Sequence, residues 1–137
     1  MTVNKADPTI SLADISKTYG DANFNLSASS SSTGAFTYTI ADQNIATING
    51  IAVSIEGAGS TSITVTQAAD NNYNTASKTI NLLIDKAIPI IIASNVTKTF
   101  GDLNFNLTAT SSSTGAFTFN ILAVSYTHLT LPTIYSV

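Results

Sequence analysis

The chain has 137 residues and a mass of 14.2 kDa, room for one domain of common size or for one small domain and part of another. Only 9% of its residues are charged, its net charge is −3 and its five basic residues are scattered, so it has no footprint for phosphates and nucleic acid is excluded as a partner. No apolar run nears the roughly 18 residues of a spanning helix, the longest being Ile88 to Ala93, and no membrane insertion is expected; with cysteine absent, disulfides, thiolate metal sites and thiol nucleophiles are excluded as well.

Met1 to Pro8 has no apolar core of the kind a secretion signal needs. Beyond it, apolar residues alternate with polar ones at period two, the pattern of strands that bury one face. Phe24 and Leu26 come first, then Phe36, Tyr38 and Ile40. Ile51, Val53 and Ile55 follow, then Ile63 and Val65, and finally Ile80, Leu82 and Ile84. Turn formers separate these runs: TYGD at Thr18 to Asp21, SSSSTG at Ser29 to Gly34, DQN at Asp42 to Asn44, GAG at Gly57 to Gly59 and DNNYN at Asp70 to Asn74. Asn49 and Gly50 both tolerate positive φ, which predicts a tight hairpin with these two at its corner. No helix signal of useful length appears. About seven short strands in about 80 residues predict an all-β fold, an antiparallel two-sheet sandwich in which each sheet covers the apolar face of the other.

The pattern then starts again. Lys5 to Ile40 aligns without a gap to Lys86 to Ile121, 81 positions on, with 22 of 36 residues identical. Exchanges such as Tyr19 to Phe100, Ser27 to Thr108 and Tyr38 to Phe119 keep shape, which predicts one fold for both segments. The expected organisation is a complete unit over 5–85 and a second unit over 86–122 that holds only the first three strands. Val3 and Asn4 fall opposite Ile84 and Asp85, so 1–4 reads as the end of a preceding unit and the chain as a slice of a longer tandem array.

The succession KTYGD, NFNL, a Ser-rich turn, FTYTI, IATING, a GAG turn, SITVTQA and a DNNYN corner resembles the bacterial immunoglobulin-like repeats of large surface and secreted proteins. The resemblance covers Lys5 to Asp85 fully and Lys86 to Ile121 in part. It implies an immunoglobulin-like sandwich in an extracellular or cell-surface setting, where such repeats serve as stalks, as spacers between enzyme modules or as binding domains.

After Ile121 the second copy should continue as ADQNIATING does, and instead reads LAVSYTHLTLPTIYSV. Val124 to Thr133 resembles, codon by codon, the translation of a transposon-type sequencing adapter, so 123–137 is expected to be library DNA read as protein. Within it Tyr126 to Leu131 alternates well enough to pass for a strand. The sole histidine, His128, lies in this tail, which leaves no base or metal ligand of that type elsewhere.

The remaining chemistry rests on carboxylates that stand singly in turns: Asp21, Asp42, Glu56, Asp70 and Asp85. Asp21 and its counterpart Asp102 could join Asp70 or Asp85 as calcium ligands, but a lone Asp after Gly more often closes a turn on nearby amides, and no D-x-D-x-D spacing exists. Tyr73 reads as a corner tyrosine, ring packed and hydroxyl on backbone, in preference to an exposed platform for sugar. Tyr19 aligns with Phe100, so its ring is expected to pack and its hydroxyl to be dispensable. The serines Ser29 to Ser32 and Ser111 to Ser113 read as plain loops in preference to sites of O-linked sugar. The sequons at Asn25, Asn95 and Asn106 fall at or near strands.

No catalytic, cofactor-binding or metal-binding residue is therefore assigned, and no enzyme is expected. The leading expectation is a structural stalk whose partners are neighbouring repeats of the same chain. A junction of about five residues, Asp85 to Pro89, with Pro8 and Pro89 in matching places, predicts that successive units are held end to end. A surface glycan or protein ligand bound by an adhesin module, and an accessory repeat of a secreted enzyme, are the alternatives; the absence of Trp speaks against an aromatic sugar platform.

Overall fold

The computed structural model describes residues 1–122, which fall into two compact units, Met1–Ile88 and a second that begins at Pro89. The tail over 123–137, with His128 and the alternation of Tyr126 to Leu131, lies outside the described residues. Among those described, the fold is all-β with no helix.

Nine strands form the first unit: β1 (Ile10–Ser11), β2 (Ile15–Thr18), β3 (Phe24–Asn25), β4 (Ser29–Ser30), β5 (Phe36–Ile40), β6 (Ala46–Asn49), β7 (Ala52–Ile55), β8 (Gly59–Gln67) and β9 (Ala76–Asp85). Nine stand where about seven were expected because two stretches, Ile10 to Thr18 and Phe24 to Ser30, each form two short strands, the second of which takes Ser29 and Ser30 out of the expected Ser-rich turn into β4. β1 pairs antiparallel with β4, Ile10 opposite Ser30, whereas β2 pairs parallel with β9, Ile15 opposite Leu82. The chain between them, Leu12 to Asp14, must leave one sheet for another. β3 and β4 are likewise two halves of one run, Phe24 to Ser30, separated at Leu26 to Ala28.

Two sheets, ordered β2-β9-β8-β5 and β3-β7-β6, share one core. The long strands β8 and β9 are in register from Gly59 opposite Ile84 to Gln67 opposite Ala76. Period two then sends Ile63 and Val65 of β8 and Ile80, Leu82 and Ile84 of β9 inward, all buried. Leu26, just past β3, and Ala46 and Val53 of the other sheet meet Ile63, Ile80, Leu82 and Ile84 in a single cluster. Each of the Leu, Ile and Val side chains among them contributes about 1.5–3 kcal/mol by leaving water. The outward positions of the same strands carry hydroxyls that bond across the sheet, Thr64 to Thr79 and Thr66 to Ser77, both at 2.9 Å.

One expected turn is shifted by a residue. Asn49 pairs with Ala52 inside the β6–β7 ladder, so the corner consists of Gly50 and Ile51, with Gly50 at φ 64°. Ile51 therefore belongs to the turn and is 51% exposed, and the inward alternation of β7 starts at Val53. A glycine at the first corner position supplies the positive φ without help from Asn49.

The second unit contains β10 (Ile91–Ala93) and β11 (Ala109–Ser111), antiparallel, with Ile91 opposite Ser111. That register is the β1–β4 register displaced by 81. Other contacts recur at the same displacement. Thr18 N to Asp21 Oδ2 and Thr99 N to Asp102 Oδ2 are both 2.9 Å. Lys17 lies 5.3 Å over the Phe24 ring and Lys98 lies 5.0 Å over Phe105. Phe36 and Tyr38, like Phe117 and Phe119, have ring centroids 6.4 Å apart.

The three strands expected of this unit are not all formed among the described residues. Phe105–Asn106 and Phe117–Ile121, which align with β3 and β5, are not in strands. The reason is the range of the pairing: β1–β4 and β10–β11 are local, whereas β3 and β5 need β7 and β8, which come later in the chain. Ile91 is 62% exposed where Ile10 is 7%, and Leu107 is 46% exposed where Leu26 is 3%.

Candidate functional site

The densest polar constellation of the first unit joins the Ser-rich turn to the DNNYN corner. Asp70 Oδ2 accepts from Ser32 Oγ at 2.8 Å, Thr33 N at 2.9 Å and Thr33 Oγ1 at 3.1 Å. Its Oδ1 accepts from the amides of Asn72 and Tyr73, each at 2.8 Å. The second pair is an Asx-type closure of the corner on itself, and the first set ties that corner to a turn nearly forty positions earlier. The Thr33 amide first, then the Asn72 amide and the Ser32 hydroxyl, hold the Asp70 carboxyl well below the usual carboxylate range, with burial opposing them.

Beneath Asp70 lies Gln67, fully buried at the end of β8. Its Nε2 donates to the carbonyls of Ser32 at 3.0 Å and Gly34 at 2.9 Å, so the second half of the Ser-rich turn hangs on one amide. Two carbonyl partners fix which end of the amide carries the hydrogens, and Oε1 is left buried with no partner. Gly34 closes the arrangement because a Cβ there would stand 1.8 Å from the Ala68 carbonyl oxygen. The segment leading into the unit docks on the same corner. Lys5 Nζ donates to the Asp70 carbonyl at 2.7 Å, Ala6 N to Asn72 O at 2.9 Å, and Asn74 Nδ2 to Asp7 Oδ1 at 2.8 Å.

Asp21 and Asp85 sit elsewhere. Thr18 pairs with Asp85 at the end of β9, and Tyr19 N donates to Asp85 O at 2.8 Å. β9 has ten residues, which at the rise of an extended strand separates this end from the Asp70 end by about 30 Å. A joint site for Asp21 and Asp70 is therefore ruled out by distance. Asp21 closes its own turn, Oδ2 on Thr18 N and its amide on Thr18 O at 3.0 Å. Asp42 does the same with Asn44, and Glu56 accepts from Thr47 Oγ1 at 3.1 Å. Among the described residues no group of three His, Cys, Asp or Glu side chains gathers for a metal.

Two aromatic expectations are corrected. The Tyr19 ring is 50% exposed and Phe100 is wholly exposed, so this repeat position does not bury its ring; the backbone of Tyr19, not its side chain, is engaged with β9. Tyr73 is half-buried and bonds through its backbone to Asp70, and among the described residues its hydroxyl has no partner. The hydroxyl that reaches backbone belongs to Tyr38, which accepts from Ala28 N at 3.4 Å. Of the Ser cluster, Ser32 is buried and its oxygen is spent on Asp70 and on Gly34 N at 3.1 Å. Asn25, Asn95 and Asn106 are exposed.

Chemically, the cluster is a clasp. Its donors converge on one carboxylate and tie a turn, a corner and the incoming chain to one another. No protein-family model and no curated protein matches the chain.

Proposed function

We propose that Lys5 to Asp85 is an immunoglobulin-like structural module of a surface or secreted protein, a non-catalytic spacer that transmits load and sets distance between other domains. The fold reading is supported by strand order. β1 with β4, and β3, β7 and β6, stand where the A, B, E and D strands of such a sandwich stand; β5, β8 and β9 stand as C, F and G, with β2 added beside the last. The Asp85 backbone carbonyl and the tied carboxylates of Asp21, Asp42 and Asp70 serve local geometry, which favours structure over chemistry.

One observation carries the spacer reading. The chain comes in against the Tyr73 corner, where Ala6 bridges Tyr73, and goes out past Asp85 at the other end of β9. β2 pairs in parallel with the final residues of β9 beside the exit, Ile15 opposite Leu82 to Thr18 opposite Asp85. Tension applied at the two ends pulls β2 and β9 in opposite directions along their length and loads their hydrogen bonds together rather than one at a time.

Proteins of one, two and four joined Lys5–Asp85 units, compared by small-angle scattering, test the reading. The maximum dimension should grow by about 30 Å or more with each unit. A dimension that fails to grow, or saturable binding of a glycan or protein by a single unit, would replace the spacer with an adhesin module.

A further inference from the structure

Asn49-Gly50 is the single Asn-Gly pair in the sequence, and the shifted hairpin leaves it chemically open. Both residues are exposed. A Cβ added at Gly50 would meet nothing within 4 Å, so the space above the peptide bond is free. Among the described residues neither the Gly50 amide nor the Asn49 side chain has a hydrogen-bond partner, because the ladder closes at Asn49 opposite Ala52 and the corner lies beyond it. Two other turn asparagines differ. Asn44 Nδ2 is held by Asp42 and Asn74 Nδ2 by Asp7, and each is followed by a β-branched residue, Ile45 or Thr75, that crowds the next amide.

From this geometry we infer that Asn49 is a site of spontaneous backbone modification. The Gly50 nitrogen attacks Cγ of Asn49, forming an N–Cγ bond; the C–N bond of the side-chain amide breaks and ammonia leaves with the proton that Gly50 gives up. The product is a five-membered succinimide. Water then adds to one of its two carbonyls, opening the ring to aspartate or, with the chain rerouted through Cβ, to isoaspartate. Aspartate leaves the backbone as it was. Isoaspartate inserts a methylene at the last ladder position of β6, the one opposite Ala52. The neighbouring ladder pair is Ile48 with Val53, and Val53 is fully buried in the core, so the misfit is delivered directly to packed residues. The device is an ageing site built into the sheet.

The test incubates the full chain, natively folded, in mildly alkaline buffer and maps asparagine conversion by peptide mass spectrometry, with isoaspartate distinguished from aspartate by fragmentation. Conversion at Asn49 should outrun every other asparagine in the chain, slow several-fold in mildly acidic buffer, and vanish in Asn49→Ser. The separated isoaspartate form should melt lower and exchange the Ile48 and Val53 amides faster, whereas Asn49→Asp, with a normal backbone, should melt like the parent. Native protein that keeps Asn49 intact while chain unfolded in urea converts would overturn the proposal. So would an isoaspartate form as stable as Asn49→Asp.

Discussion

Ser32 Oγ donates a 2.8 Å hydrogen bond to Asp70 Oδ2 across 38 positions of sequence, and this contact fixes one end of the sandwich. Ser32 also receives the Gly34 amide and offers its carbonyl to Gln67, so the turn, the corner and the end of β8 move as one body.

The Asp70 carboxyl makes that body sensitive to acid. Its hydrogen bonds hold it ionised below the usual range, while in the unfolded chain it titrates near about 4. Above that pH both states are ionised and the whole contribution is present. On further acidification the unfolded chain binds the proton first, and stability is lost as pH falls through the folded value. Thermal melts of the 5–85 unit at about pH 7 and about pH 3 should show a drop that Asp70→Asn flattens, the variant being less stable than the parent mainly at the higher pH. Equal pH profiles for parent and variant would contradict the clasp.

Gln67 gives the complementary test. Gln67→Glu points a carboxylate at the carbonyls of Ser32 and Gly34, two acceptors that each cost about 1–3 kcal/mol when left unpaired in the interior. Measured by urea unfolding, the variant should be severely destabilised at neutral pH. Relative to the parent at the same pH it should recover in acid, where the protonated side chain again donates. Gln67→Met, which removes the orphaned Oε1 with the donor, should fall between.

Adjacent leucines test the inward alternation of β9. Leu82 is fully buried and Leu83 is 44% exposed. Leu82→Ala should cost about 2–5 kcal/mol, enough to unfold much of a domain this small, and Leu83→Ala should stay within about 0.5 kcal/mol. Comparable losses in chemical denaturation would mean that the strand does not present one face to the core.

Much of the strand pattern was legible because period two is a local property: the alternation of Ile63, Val65, Ile80, Leu82 and Ile84 reads directly as an inward face. The same alternation continues to Gln67, so a buried amide was signalled, but its partners Ser32 and Gly34 come from a turn far away in sequence. The Asp70 clasp was illegible for the same reason; Asp70 reads as a self-closing turn residue, and two of its carboxylate's five bonds are just that. Tyr19 and Ile51 misled because ring identity and spacing were taken for burial, whereas each sits where the chain is turning. The breaks within Ile10 to Thr18 and Phe24 to Ser30 follow from a change of sheet, which alternation does not encode.

Force applied along the chain tests the central claim most directly. A protein of identical Lys5–Asp85 units, held at its ends and stretched one molecule at a time, should release each unit in a single event. Its contour gain should be about 250 Å, the extended length of the 81 residues less the folded span. Tyr19→Pro, which deletes the donor to Asp85 O beside the β2–β9 pair, should lower the force of that event without changing its length. Release in several shorter steps, or at no resolvable force, would contradict a spacer that bears load through its β2–β9 pair.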